Sequence, residues 1–158
     1  MLFQRVNESS PERLFVIVKN SYSTASLSAD QWCAWDDLTD EDGVAVTKPK
    51  GVLRGSIAGV VTETIAAGDF GVVQCWGYRA TARVSGGSGL ASSKVSEGTF
   101  LYNKTSGFVA HGLHTMTSAV TIPTWALDKI GVAMSPANTA AKATSATTWI
   151  GKVFVKCL

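Results

Sequence analysis

Apolar residues in this chain come in short bursts that alternate with polar ones, and glycines separate the bursts. "LFVIVKN", from Leu14 through Phe15, Val16, Ile17 and Val18 to Asn20, is rich in β-branched and large apolar residues and reads as one strand. "FGVVQCWGYRATARV" is the longest strand candidate. Alternation puts Val73 and Cys75 on one of its faces and Val72, Gln74 and Trp76 on the other. "TTWIGKVFVKCL" has the cleanest alternation: Val153, Val155 and Cys157 point one way, Lys152, Phe154 and Lys156 the other. "GVLRGSIAGVVTETI", "GTFLYN", "GFVAHGLHTM" and "KIGVAM" are further short strand candidates.

One segment follows a helical spacing instead. In "SADQWCAWDDL" Ser28 is followed by Gln31 three residues later, the spacing of a capping box. Trp32, Trp35 and Leu38 then recur at helical intervals, which predicts one short helix, ended by the turn-forming "TDEDG".

The glycines of "IAAGDFGVVQCWG" have an architectural reading. Gly68 and Gly71 supply positive-φ or crowded backbone positions around a tight turn, and Gly77 marks a bend or the close approach of another backbone. Many short strands, turn signals about every ten residues and no long amphipathic helix predict an all-β chain, a small β-barrel or β-sandwich. The texture changes near Lys48-Pro49-Lys50-Gly51. Residues 1–48 are read as a less regular N-terminal segment holding the short helix, and 49–158 as the β-rich domain. "GVVTETIAAGDFGVVQC" and "GVAMSPANTAAKATSATTWIGKVFVKC" echo one another. Each runs from Gly-Val through a Thr/Ala-rich linker to a Gly-led strand that ends in Cys. Two related strand pairs and a chance similarity of small-residue segments both explain the echo.

Composition narrows the function. At 158 residues the chain has about one domain's length and can bury a core without metal or disulfide staples. Only 16% of its residues are charged, below the usual ~25%, which suits a surface covered by other protein. The net charge of +2 and the scattered Lys and Arg residues argue against nucleic acid. No apolar run approaches the ~18 residues of a membrane-crossing helix. The three cysteines, Cys33, Cys75 and Cys157, are odd in number and lack paired two-residue spacing. They are expected to be free thiols of a protein made in a reducing cytoplasm, with no secretory signal.

The search for chemistry finds none. "GGSGLASSK" lacks the Gly-Lys-Ser/Thr ending of a phosphate loop, the third glycine of a dinucleotide fingerprint and the last glycine of a nucleophile elbow. His111 and His114 of "HGLH" would fall on opposite faces of a strand, with no metal partners placed nearby. A cysteine paired with either histidine is not favoured, because each cysteine sits in core or strand-end sequence. Asp36, Asp37, Asp40, Glu41 and Asp42 lack the pattern of a calcium-binding hand and read as a solvated loop. No cofactor, no metal and no catalytic residue is expected. Of Trp32, Trp35, Trp76, Trp125 and Trp149, the first two lie in the less regular part and are the better interface anchors.

"SIAGVVTETIAAGDFGVVQCWGYRATARVSGGSG", with the closing "IGKVFVKCL", resembles small structural proteins of tailed bacteriophages, above all head-decoration or cement proteins. The likeness covers Gly51 to Leu158 and rests on glycine spacing and texture rather than on reactive residues. It implies a β-barrel or β-tulip-like body on the outside of a phage head, often trimeric, with an N-terminal arm on the major capsid protein. Residues 1–48 would be that arm, longer than the usual one, with Leu14, Phe15, Val16, Ile17, Val18, Trp32 and Trp35 as capsid-contact candidates. The expectation is a non-enzymatic virion protein made in the bacterial host's cytoplasm. It would be a homo-oligomer, trimer favoured, that stabilises the capsid and binds neither nucleic acid nor membrane. The alternative is a receptor- or glycan-binding module of a phage fibre or other surface structure, with a site around Trp76 and Tyr78.

Overall fold

A computed structural model of the chain describes residues 12–36, 43–49, 57–85, 95, 97–102, 110–112, 130–134 and 148–157. These form β1 (Leu14–Asn20), β2 (Trp32–Trp35), β3 (Ala45–Thr47), β4 (Ile57–Val61), β5 (Phe70–Ser85), β6 (Phe100–Tyr102), β7 (Ala110–Gly112), β8 (Gly131–Ala133) and β9 (Thr148–Lys156). The described part is all-β, as the alternation predicts, and consistent with a small barrel-like body. No membrane-crossing helix is found among the described residues.

Among the described residues of the helix expected over Ser28–Leu38, which run to Asp36, there is no helix, and the reason is local. The capping-box hydrogen bond does form: the Ser28 backbone N–H donates to Gln31 Oε1 at 2.8 Å. The Gln31 N–H also closes a turn onto the Ser28 carbonyl. Between them Asp30 has φ +67°, a left-handed conformation that cannot continue a right-handed helix. The chain leaves this single turn extended, as β2. Strand alternation then sends Trp32 and Trp35 to opposite faces and into different cores.

The strands pair in two circuits that share β5. One runs β1-β3-β2-β4-β5 and back to β1; the other runs β5-β7-β6-β8-β9 and back to β5. The 16 residues of β5 allow this, its first half serving one circuit and its second half the other.

The two circuits are copies of one topology. β1–β3 and β5–β7 are the parallel pairs, and every other pair is antiparallel in both circuits. Registers match as well. Val18↔Gly71 and Lys19↔Phe70 correspond to Ala82↔Gly151 and Arg83↔Ile150. Trp32↔Val60 and Cys33↔Gly59 correspond to Phe100↔Val132 and Leu101↔Gly131. Val61↔Val73 corresponds to Ala133↔Val153, Ala34↔Thr47 to Tyr102↔His111, and Asn20↔Val46 to Val84↔Ala110. The echo between the two Gly-Val segments is thus the legible part of a five-strand structural repeat. Gly59-Val60-Val61 in β4 and Gly131-Val132-Ala133 in β8 are its equivalent strands.

Each circuit has its own core. Val18, Cys33, Val46, Ala58, Val61 and Val73 face into the first, where Leu27 and Ile65 join them. Ala82, Val84, Leu101, Ala133, Val153 and Val155 face into the second. Trp32, Ala34, Ile57 and Val60, on the outer face of the first circuit, pack into that second core. All five residues of β4 are therefore buried. The textural break near Lys48-Pro49 is not a structural one. Among the described residues β1, β2 and β3 belong to the same sheet as β4 and β5.

Candidate functional site

The sequence places its contact candidates in Leu14–Val18 and at Trp32 and Trp35. The structure brings β1 alongside β5 in antiparallel register from Leu14 to Lys19, so one edge of this strand is already hydrogen-bonded within the chain. Val18 is buried, Val16 packs on the first core, and Ile17 alternates outward with 60% of its surface exposed. Trp32 is only 1% exposed, and its Nε1–H donates to the Arg83 carbonyl at 2.9 Å. It is an internal bolt between the circuits and not a surface anchor. Trp35 is half-buried against the first core.

The glycines sit as structural devices. Gly68 has φ +84° at the turn before β5. A side chain at Gly71 would run into Ile65. Gly77 has φ +96°, and a Cβ there would run into the Glu12 carbonyl of the chain entering β1. Gln74, on the Trp76 face by alternation, is buried. Its Nε2 donates to the carbonyls of Trp76, Gly77 and Tyr78 at 3.1–3.2 Å and ties the bend to itself. Asp36 is not part of a solvated loop: it is buried and accepts from Ser21 Oγ at 2.5 Å. Asp37, Asp40, Glu41, Asp42, "GGSGLASSK", His114, Trp125 and the side chains of His111 and Trp149 lie outside the described residues.

Polar chemistry among the described residues concentrates where the circuits meet. Asp30 Oδ1 accepts from Arg79 Nη2 at 2.7 Å and from Thr81 Oγ1 at 2.6 Å. Arg79 also donates to the Val61 and Thr81 carbonyls. The Arg83 N–H donates to the Asp30 carbonyl at 2.8 Å. Asp30 Oδ1 and the Arg79 Nε and Nη2 groups thus have partners within the chain, which ties the two circuits together. Burial also disfavours the thiolate form of the three cysteines. Burial pushes Cys33 up to about 12 and also raises Cys75. Cys157 is raised by burial first and then by Cys33 and Cys75 nearby; its Sγ is turned inward to the Ile130 carbonyl. A protonated thiol is a poor nucleophile and a poor metal ligand. No group of three or more His, Cys, Asp or Glu side chains placed to hold a metal occurs among the described residues.

The outer face of the second circuit is aromatic. Tyr78, Phe154, Val132 and Phe100 stand opposite one another in register across β5, β9, β8 and β6. Trp76 meets Phe154 edge-on, centroids 5.4 Å apart, and the Arg13 guanidinium lies 5.9 Å over the Tyr78 ring. Trp32, Val60 and Gln74 form the equivalent row of the first circuit, and there all three are buried. Of this face the sequence singled out Trp76 and Tyr78; the other members of the row come from β6, β8 and β9.

This architecture has a counterpart on a phage head. The fold is similar to that of the N base of head fiber gp8.5 in bacteriophage phi29, with a TM-score of 0.50 and 12% sequence identity over 91% of this chain and 94% of that one. At that identity the likeness shows a shared fold. No protein-family model matches the chain, and no curated protein sequence matches it.

Proposed function

We propose that this chain is a non-enzymatic structural protein of a tailed-phage virion that sits on the outer surface of the head and stabilises the shell. The observation that carries this reading is the fold similarity to a head-fibre base, which spans nearly the whole of both chains. The partner is the major capsid protein. A ligand that binds only the expanded shell stabilises that state by mass action, and many copies acting together add avidity. By the resemblance to decoration proteins the working unit is a homo-oligomer, a trimer.

Co-sedimentation tests the reading. Purified chain is mixed with mature heads made without it, and with unexpanded proheads. Saturable pelleting with mature heads and little with proheads is expected; no pelleting with heads sinks the proposal. The second reading is a glycan-binding module of a fibre, favoured by the Trp76, Tyr78 and Phe154 face. Binding to host surface glycans, lost on Trp76→Ala with no loss of head binding, would support it.

A further inference from the structure

Among the described residues six large apolar side chains are exposed: Ile17, Val44, Phe70, Phe100, Met134 and Ile150. Scattered singly, exposed apolar residues need no explanation. Two of these are not independent. Phe70 and Ile150 occupy equivalent positions in the two circuits, and they are 64% and 52% exposed.

Their neighbours repeat as well. Phe70 stands directly opposite Lys19, and Ile150 directly opposite Arg83. Directly opposed residues of an antiparallel pair project on the same face, with Cβ atoms roughly 5 Å apart. Each circuit therefore displays one large apolar side chain beside one cation on its outer face. Neither cation forms an ion pair among the described residues, where Arg79–Asp30 is the salt bridge. Folding does not ask for this pairing. The core needs the inward neighbours, Val18 and Val73 in one circuit and Ala82 and Val153 in the other. An outward position opposite a cation is satisfied by any polar residue.

We propose that Phe70 with Lys19 and Ile150 with Arg83 are two equivalent docking contacts for a protein surface that repeats itself, each contact seating the apolar side chain in a recess beside a carboxylate. The inference rests on the head-surface reading and makes it specific. A shell built from copies of one subunit offers the same local surface many times over, and a chain built from two copies of one circuit offers the same contact twice. The cations fix the charge of the partner site. Phe70 and Arg83 lie 13 positions apart on β5, which bends at Gly77, so at about 3.3 Å per residue the contacts are separated by at most on the order of 40 Å. That spacing suits neighbouring subunits rather than two sites on one small ligand. Once one contact is made the second is intramolecular, so two weak contacts give tight binding to a lattice and weak binding to an isolated subunit.

The test uses full-length chain and heads made without it. Phe70→Ser, Ile150→Ser, the double variant, and Lys19→Glu with Arg83→Glu are compared with the parent in co-sedimentation titrations. All four positions face outward, and an unchanged melting temperature confirms that each variant is folded. Each single serine variant is expected to weaken head binding by about tenfold or more. The double variant should abolish it, and the charge reversals should weaken it most at low salt. Equal binding by parent and double variant overturns the two-contact proposal and leaves the head-surface reading standing. Loss from only one of the two positions overturns the equivalence, and hence the proposal. No binding by the parent overturns the head-surface reading and this inference with it.

Discussion

Trp32 of the first circuit donates its indole N–H to the carbonyl of Arg83 in the second, at 2.9 Å. The ring itself fills space among Val84, Leu101, Val153 and Val155, residues brought from three strands of the other circuit. One side chain thus satisfies a backbone carbonyl and fills the junction. Trp32→Ala is expected to destabilise the fold by about 3–5 kcal/mol, the range for truncating a large buried aromatic. Trp32→Phe keeps much of the volume and strands the carbonyl, a loss of roughly 1–3 kcal/mol. Urea unfolding of the three chains measures both; equal stability of all three would refute the bolt.

Asp30 and Arg79 form the polar half of the same junction. Both are partly buried, with side chains 23% and 11% exposed. Asp30→Ala removes the acceptor of both Arg79 and Thr81 and keeps the strained φ of +67°. Asp30→Gly removes the same acceptor but relieves the backbone, by roughly 1 kcal/mol. Both variants should be less stable than the parent, with glycine the milder. If alanine proves the milder, the left-handed turn is not what Asp30 maintains.

Gly77 allows β5 to pass close to the chain entering β1. Gly77→Ala forces a Cβ into the Glu12 carbonyl at a positive φ, and a loss of about 1–3 kcal/mol is expected from backbone strain alone. Gly68→Ala, at φ +84° with open space around it, should cost less. Melting curves of the two variants rank them, and the reverse order would contradict the close approach.

A chain beginning at Lys50 would lack β1, β2 and β3. It would lose the strand paired along the first half of β5, and Trp32 would no longer reach the second core. Such a chain is expected to be insoluble or to unfold without cooperativity. A soluble fragment with a sharp thermal transition would support the arm reading of residues 1–48.

The buried thiols predict alkaline sensitivity. Cys33 is raised from 9.0 to about 12 in the folded chain. Above about pH 9 the unfolded chain releases this proton and the folded chain holds it, so the contribution is full below that pH and is lost as pH climbs toward 12. Stability should fall across this window, and Cys33→Ala should flatten the slope. In the native chain at pH 8 a thiol reagent should label Cys33 far more slowly than in denaturant. Equal rates would mean the thiol is not buried.

The strand content and the all-β class were written in local alternation. β1, β5 and β9 are each long enough for period-two patterning to outweigh other signals, and Val73, Val153 and Val155 face inward as the pattern requires. The turn at Gly68 was legible for the same reason: a positive φ is a property of one residue and its neighbours. What the sequence could not settle were features fixed by distant partners. Trp32-Cys33-Ala34-Trp35 has helical spacing and a real capping hydrogen bond. Yet β3 and β4 flank it as a strand, and each tryptophan finds its core on a different side. β3, three residues long, has no pattern of its own and exists because β1 and β2 supply its hydrogen bonds. The repeat shows the same division. Gly-Val segments in β4 and β8 betrayed two related strand pairs, but the five-strand correspondence is carried by register, which pairing fixes and residue identity scarcely records. For that reason Phe70 and Ile150, 80 positions apart in the sequence, became equivalent only in the tertiary structure.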